Sequence, residues 1–273
     1  MEVAKLFGRP LFSVGLVVLA VVMALFYLLF FLFRSNIPAS GTRFLYWPDS
    51  LIYGLGYASG YASWTSYGTY LLIVLVGVGT AQEYSWRTLQ LWLGHGIGRR
   101  TVLCAKFAVS LIPAVAIVVA CLVVVGAVSA VYSLADHGTV AVGKVHVDAL
   151  LLSALRTLFS MLPYAALTFL IAVVTRSTVL AVAGGVGFVA VIETALLQTL
   201  PHLGGTLDRV VQFLPSGLSS ALNGQNAAIA GAAPITAGDQ PSALVAAIGI
   251  GIYTVILCGL ALLVFERQDL TQA

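Results

Sequence analysis

Residues 11–33 read LFSVGLVVLAVVMALFYLLFFLF, a run without one charged side chain, closed by Arg34. Coiled as a helix at 1.5 Å per residue, it covers about 34 Å, enough to cross the roughly 30 Å of hydrocarbon in a bilayer. The run is too long for the apolar core of a secretory leader, and bulky aromatics followed by Arg34 stand where small residues would mark a cleavage site. It is expected to remain as a membrane anchor. Working outward from it, five more apolar runs lie between polar breaks, so the spans read Leu11–Phe33, Ser59–Ala81, Val102–Tyr132, Ala149–Val174, Val179–Leu200 and Ala243–Phe265. The expectation is a single all-α integral membrane domain over residues 1–273, with six transmembrane helices.

Composition agrees with that reading. Of 273 residues, 60% are hydrophobic and 8% charged, with mean hydropathy +1.03, against about 25% charged in soluble domains. A soluble domain is excluded. The formal charge of +3 is scattered along the chain, whereas nucleic-acid binding needs a clustered basic face. Position matters more than the sum. With the N-terminus inside, Lys5, Arg9, Arg87, Arg99, Arg100, Lys106, Arg176 and Arg267 fall on the cytoplasmic side, leaving Arg34, Arg43, Lys144, Arg156 and Arg209 outside. The excess lies on the shorter, inner segments, so both termini are expected in the cytoplasm of a multi-pass inner-membrane protein.

The outer connections, Arg34–Ala58, Asp136–Asp148 and Pro201–Ser242, collect the turn formers, while the second inner connection is little more than Thr175–Ser177. Within the longest connection, Pro215 and Ser216 offer a helix start and Gly224 a stop. A short outer or re-entrant helix is expected there, between spans five and six.

Chemistry-bearing motifs are sparse. Cys104, Cys121 and Cys258 have no CxxC spacing and read as small apolar core residues. His95, His137, His146 and His202 fall in three connections without metal-ligand spacing, so no metal is expected. Ser216-Gly217-Leu218-Ser219-Ser220 is not a nucleophile elbow. Gly56/Gly60, Gly184/Gly185/Gly187 and Gly249/Gly251 read as close helix contacts, because lipid supplies no hydrophobic drive and small faces let backbones approach. Tyr53, Tyr57, Tyr61 and Trp64 share one helical face, either an interfacial aromatic belt or a wall of a translocation path, with Tyr57, Tyr61 and Trp64 as the path candidates. Glu193 is the carboxylate well inside a span; charge there costs about 2.5–3.5 kcal/mol on insertion scales, so a partner is expected. Arg156, a similar distance from the outer boundary on the preceding span, is the candidate for a structural ion pair, with a polar wall of the path as the other role for Glu193.

The most informative stretch runs from Gln82 to Arg100, QEYSWRTLQLWLGHGIGRR. Glu83 and Arg87 sit at i,i+4, and Trp86, Leu89 and Leu93 at i,i+3,i+7, an amphipathic helix with an ion pair on its wet side, ended by Gly94, Gly96 and Gly98. The order Glu83, Trp86-Arg87-Thr88, Leu93, Gly98-Arg99 and Lys106 resembles the first cytoplasmic loop of ATP-binding-cassette permeases of the ABC type 2 family. The Pro215 helix and the ending Phe265-Glu266-Arg267-Gln268-Asp269-Leu270 resemble that family too, although Gln268 stands where a second basic residue is common. The resemblance covers nearly the whole chain. It implies that residues 83–93 form a coupling helix, with Glu83, Trp86, Arg87, Leu89, Leu93, Arg99 and Arg100 facing a separate ABC ATPase subunit that carries ATP and Mg. It further implies a homodimeric exporter of a hydrophobic or amphipathic compound, such as a drug, antimicrobial peptide or lipid-like molecule, with no cofactor on this chain. Consistent with that division, the only lysines are Lys5, Lys106 and Lys144 and no P-loop occurs. This chain is therefore expected not to be an enzyme. A proton-coupled secondary transporter and a membrane-embedded enzyme are the alternatives; the first has one buried carboxylate for a relay, the second no recognisable nucleophile or metal cluster.

Overall fold

The computed structural model describes residues 10–36, 42–59, 67–85, 98–140, 143, 145–196, 199, 210–230 and 240–268. These form helices and no strand: α1 (Pro10–Leu32), α2 (Asp49–Ser59), α3 (Tyr67–Ser85), α4 (Arg99–Ser110), α5 (Ile112–His137), α6 (Val147–Thr175), α7 (Thr178–Gly187), α8 (Pro215–Asn223) and α9 (Ala243–Arg267). Short 3₁₀ turns cover Arg34–Asn36, Arg43–Leu45 and Gly224–Ala230, and α7 continues through a π-helical stretch, Phe188–Glu193.

Among the described residues, five helical stretches are long and apolar enough to cross a membrane: Pro10–Leu32, Arg99–His137, Val147–Thr175, Thr178–Leu196 and Ala243–Arg267. The expected second span, Ser59–Ala81, is described only in part: residues 60–66 lie outside the described residues, and the rest falls on α3, which carries Thr69, Gln82 and Glu83 toward its ends. Burial explains how this is tolerated, since Leu72, Ile73, Leu75, Val76 and Ala81 are enclosed by other helices and a helix packed in protein need not be apolar on every face.

The expected third span divides. Arg99–His137 is 39 residues long, about 58 Å at helical rise and far more than one crossing needs. The path breaks at Leu111, with Pro113 in the first turn of α5, where a missing N–H is harmless. The polar α4 is a shelf packed on α3, α5, α6 and α9, and Cys104 on it is exposed, contrary to the core role expected for it. Cys121, on α5, is buried as expected. At its other end α5 closes on Gly138, whose φ of 69° is the left-handed conformation that ends helices.

The hub is α6. It packs on α3, α7, α8 and α9 and buries Ser153, Thr157, Ser160, Tyr164, Thr168 and Phe169 on one side. By contrast, α1 buries only Phe12, Leu19, Met23 and Tyr27 and leaves a broad apolar face open, including Val14, Val21, Leu25 and Leu29. Such a face suits lipid. Small residues bring α3, α6 and α7 together: a Cβ on Gly185 would lie 2.6 Å from Ile73 and 2.7 Å from Thr168. The turn between α6 and α7 is as tight as the sequence implies, with Arg176 at φ 53° and the Ser177 hydroxyl accepting from Leu180 N–H.

Two ends of the bundle can be told apart. The elbow end holds the α6–α7 turn, the end of α3, the shelf α4 and the end of α9; the far end holds the close of α1 and α5, where Arg34 pairs with Asp136 at 3.0 Å. Hence α1 begins and α9 ends at the same, elbow, end.

Candidate functional site

At the elbow end, Glu83 occupies the last turn of α3 and pairs with Lys106 of α4. Both side chains are nearly enclosed, at 12% and 13% exposure. Glu83 is packed inward against the shelf helix rather than lying on a wet face, and Arg87, its expected i,i+4 partner, lies outside the described residues. Arg99 then closes the end of α9, its Nη1 donating to the carbonyls of Glu266 and Gln268 at 2.9 Å each. Those carbonyls belong to a helix terminus without intrahelical donors, and a guanidinium there contributes about 0.3–1 kcal/mol. Arg100 pairs with the Glu266 carboxylate at the surface. Gln268, the neutral residue where a cation is common, donates from Nε2 to the Val173 carbonyl at 2.7 Å. It fastens the end of α9 to α6. Thus α3, α4, α6 and α9 are clamped into one rigid end. Trp86, Arg87, Leu89 and Leu93 of the expected coupling helix lie outside the described residues.

Deeper in the bundle, Glu193 is 2% exposed. The π-helical stretch explains its direction: an extra residue in one turn rotates the rest of the helix, leaving Val191 and Ile192 exposed while Glu193 points inward. Its carboxylate accepts from the Tyr164 hydroxyl at 3.1 and 3.2 Å and from Ser216 N–H at 2.6 Å. The expected pair with Arg156 does not form. Tyr164 lies eight residues, about 12 Å, further along α6 than Arg156, and Arg156 instead donates to the Gln225 carbonyl at 3.4 Å. The difference is one of depth. An acidic group at the N-terminus of α8 faces the positive end of that helix and satisfies one of its orphan donors.

From there residues 216–229 climb beside α6. Ser219 donates to Ser160 O at 3.3 Å; Asn223 Nδ2 donates to Ser160 Oγ at 3.1 Å and Ser59 Oγ at 2.9 Å; Asn226 Nδ2 donates to Thr157 Oγ1 at 3.3 Å. Near the start of α6, His146 N–H reaches Ile229 O at 3.5 Å. The N-terminus of α8, facing Tyr164, lies about 26 Å along α6 from Val147. The short helix therefore dips to the middle of the bundle. Sequence reasoning missed this layer, although Thr157, Ser160, Tyr164 and Thr168 stand at i,i+3,i+7,i+11 inside an apolar run, a polar stripe at helical spacing.

Tyr57 is 7% exposed, enclosed by Phe26 at 5.4 Å, Tyr27 at 6.0 Å and Tyr67 at 6.4 Å between ring centroids. It packs α2 against α1 and lines no open path in this structure. Tyr61 and Trp64 lie outside the described residues. At the far end, the Tyr46 hydroxyl donates to Asp136 at 2.6 Å, and burial followed by that bond pushes its phenol above the ordinary value. It remains a donor through neutral pH.

Apolar helices long enough to cross a bilayer, packed about a polar-faced hub, define a multi-pass membrane protein. The family model for ABC-2 family transporter proteins matches residues 71–270, and the chain belongs to that family. Membership makes it the membrane component of an ABC transporter, a permease that implies an ABC ATPase subunit as partner. No curated protein and no solved structure matches the chain.

Proposed function

We propose that the chain is the permease subunit of an ATP-driven exporter in the cytoplasmic membrane, with six spans, both termini in the cytoplasm, and α3 as the span that relies on protein contacts. Two copies would pair, each engaging a separate ATPase that binds ATP and Mg. The elbow end is the docking side, and residues 83–93, with Glu83, Trp86, Arg87, Leu89 and Leu93, form the coupling helix. Arg99 and Arg100 support it from α4. The observation that carries this reading is the clamp itself: Glu83 is held by Lys106, while Arg99 holds the end of α9. A push delivered at residue 83 therefore reaches α3, α4 and α9 together. The substrate is a hydrophobic or amphipathic compound, and Glu193 with the dipping α8 forms a polar wall of its path.

The test is to purify the chain alone and with a P-loop ATPase encoded beside it. Hydrolysis is expected only for the pair. Hydrolysis by the isolated chain, abolished by a point change within it, would overturn the division of labour.

A further inference from the structure

A second feature lies at the far end, away from the clamp and from Glu193, and does not depend on the export reading. There a cavity of about 330 Å³ opens between the Arg43–Leu45 turn, the start of α2 and the end of α5. That volume falls in the range of small-ligand sites, roughly 300–1,000 Å³. Its wall is anchored. Trp47 N–H donates to Ser133 Oγ at 3.1 Å, Tyr46 is bonded to Asp136, and the rings of Tyr46 and His137 meet edge to face at 4.8 Å.

Two charged side chains face the cavity. Arg43 and Asp49 both line it, yet among the described residues neither side chain makes a hydrogen bond or ion pair, with each other included. The indole Nε1 of Trp47, another lining residue, is shut off from solvent and has no acceptor among the described residues. Arg34 and Asp136, only a short distance away, do find one another. Two opposite charges that share a cavity without pairing suit one molecule carrying both complements: an anion for the guanidinium fork and an ammonium for the carboxylate. Aromatic walls from Tyr46 and Trp47 favour the ammonium side as well.

We infer that this far-end cavity binds a compact zwitterion, an ammonium joined to a phosphate or carboxylate, with Arg43 taking the anion and Asp49 the ammonium. The end of α1 at Arg34 lies beside it, so the zwitterion has two candidate sources, a phospholipid headgroup or a free solute.

The experiment uses the full chain, with Arg43→Ala and Asp49→Asn as variants whose unliganded Tm is checked first. In the solute arm, phosphoethanolamine is titrated in detergent and tryptophan fluorescence and Tm are followed. In the lipid arm, the chain is taken from mixed phosphatidylethanolamine and phosphatidylglycerol bilayers and its retained lipids are weighed by native mass spectrometry. Saturable binding of phosphoethanolamine, weakened at least tenfold in either variant and for phosphate or ethanolamine alone, supports a solute site. Selective retention of phosphatidylethanolamine, lost in both variants, supports a headgroup site. Absence of binding in both arms, or binding that ignores both substitutions, overturns the inference.

Discussion

The elbow end and the layer around α8 are both polar, yet they are built from different groups. Full charges dominate the first: Glu83 with Lys106, Arg100 with Glu266, and Arg99 on the carbonyls of Phe265, Glu266 and Gln268 where α9 ends. Hydroxyls and amides dominate the second, with Glu193 as its one carboxylate among the described residues and a helix N-terminus in place of a cation. Desolvation accounts for the division. Arg100 and Glu266 keep their charges at the surface and the nearly enclosed Glu83 and Lys106 offset theirs against each other, whereas a layer enclosed by apolar helices is satisfied by neutral groups at lower cost. On the proposed function, the deep layer serves stability and the elbow end serves coupling.

Substitutions can break that contrast, and the largest effect is expected in the interior. Gly185→Val forces methyl groups onto Ile73 and Thr168, where even a Cβ lies at 2.6–2.7 Å; overpacking of about 3 kcal/mol should appear as a collapse of yield in membranes. Asn223→Leu removes the donor shared by Ser59 and Ser160, and about 2 kcal/mol is expected, read as a lowered Tm in detergent. Tyr164→Phe leaves Glu193 with Ser216 N–H alone and should cost about 1 kcal/mol, a smaller shift by the same measurement. Arg100→Ala, at an exposed pair, should leave Tm nearly unchanged. If Arg100→Ala proved as damaging as Asn223→Leu, the contrast would fail.

Much of this fold is legible in the sequence. Long apolar runs place α1, α6 and α9 within a few residues, because lipid demands uninterrupted apolar length and little else imitates it. Pro215 and Gly224 mark the limits of α8 for the same local reason, a missing donor at one end and a stop at the other. Depth is not legible. Whether Arg156 or Tyr164 faces Glu193 depends on how far α7 has climbed, and a π-helical turn that shifts the register leaves no mark in apolar periodicity. The inward turn of Glu83 is hidden for a related reason: its partner Lys106 is on another helix, whereas the spacing rule sees only neighbours on the same one.

The central claim, that Glu83 serves coupling beyond holding α3 to α4, is tested most directly by a double-mutant cycle on Glu83→Ala and Lys106→Ala in membranes reconstituted with the ATPase subunit. Tm and the ratio of transport to ATP hydrolysis are measured for each protein. Either single change strands the other charge in a nearly closed site and should lower Tm, and the double change should recover most of that loss. Coupling should behave differently. The account predicts that the double variant regains stability and hydrolyses ATP but transports at least tenfold less per ATP; normal transport at normal stability would contradict it.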